Sequence, residues 1–201
     1  TSLLEKRRDH YNSFPWKIQV DRKTVEQNVH EAQMVLGRYH LSAMGEYDVI
    51  VDSVSSVKNF PMRNPILVTD DQIARFHGET IVELLRSAGF TPKLITIPAG
   101  EAHKNLETVQ TLWREFLEHG LDRKSTVIAL GGGVVGDLAG FAAATYMRGI
   151  NWVCIPTTLL SMVDASLGGK TGFDLPQGKN LIGAFYPPKL VLADRQLLKT
   201  L

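Results

Sequence analysis

Between Thr126 and Thr145 an apolar run, TVIAL, meets Gly131, Gly132 and Gly133, then Gly136 and Asp137, and passes into small and apolar residues of helical character. A strand that breaks into glycine and restarts as a helix brings backbone N–H groups close to an anion. The spacing Gly131-x-Gly133-x-x-Gly136 also fits the dinucleotide fingerprint. The same glycines would serve a tight turn that binds nothing. One expected feature is missing: no Asp or Glu lies between Asp137 and Asp164, where an acid about 20 residues on ordinarily holds the adenosine ribose. Gly169-Lys170-Thr171 looks like the end of a phosphate loop. The glycine which that motif needs five positions earlier is Asp164 here, so residues 164–171 are not an ATP loop.

Around the glycine turn, strand and helix signals alternate from Tyr47 onward. YDVIVDSV, PILVTD, TPKLITIP and TVIAL read as strands. DQIARFHGETIVELLRSAG reads as an amphipathic helix closed by Gly89, and Asn105 to His119 as a second, closed by Gly120. The alternation predicts an α/β fold, a Rossmann-like and mostly parallel sheet with helices on both faces. Residues 1–40 differ. TSLLEKRRDHYNSF is a charged, helix-like piece and WKIQV a short strand. Thr24 then caps a helix with Val25, Val29, Ala32 and Leu36 on one face.

Lys plus Arg number 22 against 21 Asp plus Glu, a balance that gives no support for nucleic acid or an acidic membrane surface as partner. The single cysteine, Cys154, excludes a disulfide framework and fits a reduced, cytoplasmic setting. No apolar run of about 18 residues predicts a membrane span.

GGGVVGD, YMRG, PTTLLSMVDASLGGKTG and GKNLIGAFYPP together resemble the 3-dehydroquinate synthase family, sugar phosphate cyclases of the shikimate pathway, from about residue 46 to Leu201. The resemblance implies an NAD-binding domain over 46–201, and an enzyme that converts 3-deoxy-D-arabino-heptulosonate 7-phosphate to 3-dehydroquinate. Phosphate is eliminated, NAD is used catalytically, and a divalent metal, zinc or cobalt, is required. It implies Asp164, Lys170, Asn180 and Arg148 as substrate contacts. It implies cofactor contacts at Gly132, Gly133, Val134, Val135, Gly136, Asp137, Thr157, Thr158, Lys170 and Lys179, at Gly100, Glu101 and Lys104 of the loop after TPKLITIP, and at Leu197, Leu198, Lys199 and Thr200. Asp70, ending PILVTD, is a candidate for the missing ribose acid from a different strand, with helix capping as the alternative role. A mixed set of Lys, Arg, Asp and Asn suits a polyanionic sugar, because the cations meet phosphate and carboxylate while Asp and Asn hold hydroxyls.

By the same resemblance the metal ligands, one Glu and two His, fall beyond Leu201. His10, His30, His40, His77, His103 and His119 show no ligand spacing. LADRQLLKTL resembles the lead-in to a helical second domain, so the chain is expected to be the cofactor half of a larger enzyme, a homodimer when complete. Residues 1–40 resemble the tail of shikimate kinase, which implies a fused parent protein. The alternatives are another sugar phosphate cyclase, a polyol dehydrogenase of the glycerol dehydrogenase type, which VDASLGGKTG followed by GKN disfavours, and a non-catalytic nucleotide-binding domain.

Overall fold

The structure, a computed structural model, describes residues 21–42 and 44–200. The helix-like piece TSLLEKRRDHYNSF and the strand WKIQV lie outside the described residues. The chain divides into two compact units, Thr1–Tyr39 and His40–Leu201. In the first, α1 (Val25–Leu36) begins as expected at Thr24. The Thr24 hydroxyl accepts the Gln27 N–H at 3.2 Å, and the Gln27 side chain accepts the Thr24 N–H at 2.9 Å, a reciprocal cap. No described residue of α1 is buried, and Val25 is 79% exposed.

The second unit is built on the expected parallel sheet. Its strands are β2 (Tyr47–Val51), β3 (Pro65–Asp70), β4 (Lys93–Ile97), β5 (Thr126–Gly131), β6 (Asn151–Pro156) and β9 (Leu190–Ala193). They stand in the order β2-β9-β6-β5-β3-β4, every pair parallel, and β1 (Arg38–Leu41) is the edge strand beside β2. The helix α2 (71–87) follows β3, with one wider turn at Ala74–Gly78. α3 (Leu106–Glu118) follows β4, and α4 (Gly133–Thr145) follows β5. Gly89 and Gly120, at φ +88° and +67°, stand just past the ends of α2 and α3 as expected.

Alternate residues of the strands feed two cores, one on each face of the sheet, the period-2 consequence of pleating. Ile66, Val68, Val127, Ala129 and Cys154 meet α3 and α4 through Leu112, Phe116, Leu138 and Ala142. Leu67, Ile128, Leu130, Val153 and Ile155 meet α2 through Ile81, Val82 and Leu85.

The strand β9 and a separate hairpin are additions to the expected pattern. β9 is the last strand in sequence yet lies between β2 and β6. An antiparallel hairpin, β7 (Lys170–Leu175) and β8 (Gly178–Phe185), stands apart from the main sheet. It packs on α4, where the Phe141 and Phe173 rings meet edge to face at 5.4 Å. The close approach depends on Gly140: a Cβ there would lie 2.5 Å from the Thr171 methyl and 3.0 Å from the Trp152 ring.

Candidate functional site

From β3 the chain steps to β4 on one side and then crosses back to β5 on the other. Where strand order reverses in this way, the loops at the carboxyl ends of the two strands splay apart and leave a crevice. Asp70 ends β3 and the glycine turn ends β5, so the reversal point holds both. The other expected cofactor contacts gather along the same edge: Gly100, Glu101 and Lys104 after β4, Thr157 and Thr158 after β6, and Leu197–Thr200 after β9.

The glycine turn is shaped as a cradle. α4 starts at Gly133 with no side-chain cap on its first N–H groups, which leaves the positive end of the helix open to an anion. A Cβ on Gly131 would strike the Val135 side chain at 2.6 Å, whereas one on Gly133 would meet only Ala165 at 3.5 Å. Gly131 is thus demanded by the fold itself, while Gly133 has room. Val134 and Gly136 complete the first turn of α4. The Thr157 N–H donates to the Gly131 carbonyl at 2.9 Å. Asp70 Oδ1 accepts the Gln72 and Ile73 N–H groups at 3.0 and 2.8 Å. Capping therefore uses one oxygen and leaves Oδ2 without a hydrogen bond among the described residues. The capping role considered for Asp70 is thus observed.

Facing the turn, the hairpin and the first turns of α4 line an open cleft of about 520 Å³, with Asp137, Asp164, Lys170 and Asn180 in its walls. Lys104, 5% exposed, is bonded to two of these wall residues. Its ammonium donates to Asp137 Oδ2 and to Asn180 Oδ1, each at 2.6 Å, with Asp174 Oδ1 at 4.0 Å. Burial pushes the Asp137 carboxyl above its ordinary value, and the Lys104 ammonium pulls it part of the way back. Lys179, on the hairpin, bonds Glu101 at 2.9 Å, and that carboxylate raises the Lys179 ammonium above its usual range. Lys170 stands at the mouth, 3.4 Å from Asp164, both side chains more than half exposed.

Not every expected contact joins the cluster. Arg148 sits past the far end of α4, a helix about 20 Å long, just before the amino end of β6. The structure places it at the opposite edge of the sheet, away from Lys170, Asp164 and Asn180. The Leu197 side chain is buried in the core on the α2 face, and Thr200 Oγ1 bonds His77 Nε2 at 2.7 Å; Leu198 and Lys199 complete that short turn. Two hydroxyls at the site, Thr157 Oγ1 and Ser166 Oγ, are buried without a partner among the described residues, a costly state that ligand or water would relieve. Ser166 and Asp174 carried no signal in the sequence reading. Leu175-Pro176-Gln177-Gly178 was the turn signal that could have revealed the hairpin.

The family model for the 3-dehydroquinate synthase N-terminal region matches residues 94–201, more than half of the chain. The chain belongs to this family. Curated 3-dehydroquinate synthases resemble it strongly. That of Picosynechococcus sp. is 56% identical over 136 residues, covering 68% of this chain and 37% of the relative. That of Symbiobacterium thermophilum is 57% identical over 139 residues, covering 69% and 39%. The chain thus spans about two fifths of the length of these relatives. Among solved structures, 2-deoxy-scyllo-inosose synthase complexed with carbaglucose-6-phosphate, NAD+ and Co2+ superposes with a TM-score of 0.75 at 28% identity, over 80% of this chain and 46% of that one. The 2-epi-5-epi-valiolone synthase of Streptomyces hygroscopicus, with NAD+ and Zn2+ bound, gives 0.71 at 29%, over 92% and 47%. Glycerol dehydrogenase of Schizosaccharomyces pombe shares the fold at 22% identity, with a TM-score of 0.56 over 70% and 34%. Among the described residues, no helix is long and apolar enough to cross a membrane.

Proposed function

We propose that this chain is the NAD-binding part of a 3-dehydroquinate synthase acting on 3-deoxy-D-arabino-heptulosonate 7-phosphate. The observation that carries the reading is the placing of the glycine turn and Asp70 at the sheet's reversal point, opposite a cleft walled by Lys170, Asn180 and Asp164. The cradle fits a dinucleotide: the first N–H groups of α4 are uncapped, and Gly133 leaves the backbone open to a diphosphate. In this reading Gly132, Gly133 and Gly136 meet the diphosphate and Asp70 Oδ2 meets the adenosine ribose. Thr157, Thr158, Glu101 and Lys179 border the same ligand. NAD, when bound, would accept a hydride from a substrate hydroxyl-bearing carbon and later return it.

The rest falls to the chain's own groups. Lys170 and the Asn180 amide meet phosphate or carboxylate oxygens, and Asp164, released from Lys170, accepts from a sugar hydroxyl. Among the described residues, no group of three or more His, Cys, Asp and Glu could hold a metal ion. A divalent metal, zinc or cobalt, would take its ligands elsewhere in the parent enzyme, which we read as a cytoplasmic homodimer. The likeness of residues 1–40 to a shikimate kinase tail supports a fused parent.

A second reading, another sugar phosphate cyclase, is favoured by the two solved cyclases that superpose over most of the chain. The parent protein given NAD, metal and the heptulosonate phosphate should release phosphate without net NADH. Turnover of only other sugar phosphates would establish the second reading. Net NADH from a polyol would indicate a dehydrogenase, and no turnover a binding module.

A further inference from the structure

The hairpin is irregular at one point, and the irregularity serves the cleft. Phe173 pairs with Ile182, but the next pair along the ladder is Leu175 with Gly178. Asp174 alone therefore stands opposite Lys179, Asn180 and Leu181. A bulge of this kind frees backbone groups from the ladder and re-aims a side chain. Asn180 takes a left-handed conformation, φ +55°, a region that non-glycine residues enter at a cost and that Asn tolerates best.

Asp174 holds both sides of this bulge. Its carboxylate Oδ1 accepts the Asn180 N–H at 2.7 Å, in place of the lost ladder bond. Its own N–H donates to the Lys104 carbonyl at 2.8 Å, which registers the hairpin against the loop after β4. The consequence is the 2.6 Å bond from the Lys104 ammonium to Asn180 Oδ1. An ammonium can only donate, so this contact fixes which end of the Asn180 amide faces Lys104. The amide N–H₂ is left as the donor end, on a residue that lines the cleft.

We propose that Asp174 is a positioning residue. It pins Asn180 in the left-handed bulge so that Lys104 orients the amide, and the cleft then offers N–H donors from Asn180 and Lys170 to an anionic oxygen of the substrate. This rests on the reading that Asn180 and Lys104 serve the ligand.

A double-mutant cycle on the parent enzyme tests it. Asp174→Ala should lower kcat/KM by about tenfold, the size of coupling seen within one hydrogen-bond network. Asp174→Asn, which keeps an acceptor for the Asn180 N–H, should restore most of the loss. In an Asn180→Ala background, Asp174→Ala should add no more than about twofold. Full multiplication of the two single effects, or an Asn variant as impaired as the Ala variant, would overturn the proposal. Amide NMR signals of the ligand-free protein supply an arm that does not depend on the reaction. Asp174→Ala should move the Asn180 backbone and side-chain amide protons, and Asp174→Asn, which keeps an acceptor for the Asn180 N–H, should leave them near their original positions. Unmoved signals in the alanine variant would overturn the proposal whether or not the parent turns over the heptulosonate phosphate. Moved signals without turnover would sustain the positioning and remove the proposed reaction.

Discussion

Replacing Lys104 by methionine would keep the packed stem and delete the charge. The ammonium it removes lies 2.6 Å from Asp137, with Asp174 at 4.0 Å, and all three side chains are mostly buried. Removing one partner of a buried pair leaves the other charge uncompensated, a loss of about 3 kcal/mol or more. For a domain of this size that corresponds to a fall in Tm of about 6–12 °C. The loss should depend on pH in a set direction. Burial already raises the Asp137 carboxyl in the folded state, and without Lys104 nothing opposes burial strongly. A folded pKa above the unfolded one means that stability is fully present below the unfolded value and is lost as pH rises through the folded value. Lys104→Met should therefore recover part of its deficit as pH falls from about 7 to about 5, as Asp137 takes up a proton. Urea unfolding followed by tryptophan fluorescence at both pH values would measure this. A variant within about 0.5 kcal/mol of the original at neutral pH, or one with the same deficit at both, would refute the account of Lys104 as the buried counter-charge.

The cradle and the core allow two further tests. Gly133→Ala adds a methyl that meets only Ala165 at 3.5 Å, so Tm should stay nearly unchanged while NAD affinity by calorimetry falls about tenfold, since the backbone can no longer approach the diphosphate closely. Cys154 is 4% exposed and burial pushes its thiol up to about 12. Iodoacetamide near pH 8 should leave it unmodified in the native protein and alkylate it in urea, which mass spectrometry would read.

Much of this protein was legible in its sequence because the signals are local. The Thr24 cap with Gln27, the helices ahead of Gly89 and Gly120, and the strand, glycine turn and helix over 126–145 each depend on residues a few positions apart. Periodicity and turn chemistry report such neighbours directly. The alternation of elements also indicated a parallel sheet with helices on both faces, since each element must bury one side. Strand order is another matter. That β9 would insert between β2 and β6 depends on which edges remain free after the other strands have paired, and no local pattern carries that. The hairpin is likewise seated by long-range packing of Thr171 and Phe173 on α4. Arg148 and Lys170 were both implied as substrate contacts, and the fold sets Arg148 past the far end of α4 from the cleft that Lys170 lines. Lys104 stood in the sequence as a loop residue implied to meet the cofactor. Tertiary structure buried it between Asp137 and Asn180, the latter 76 positions away. The sequence by itself determined the alternating strands and helices around the glycine turn and the supply of charged groups. Only the folded chain decided which charges meet, because a buried ammonium is tolerable only where distant segments bring it oxygen partners.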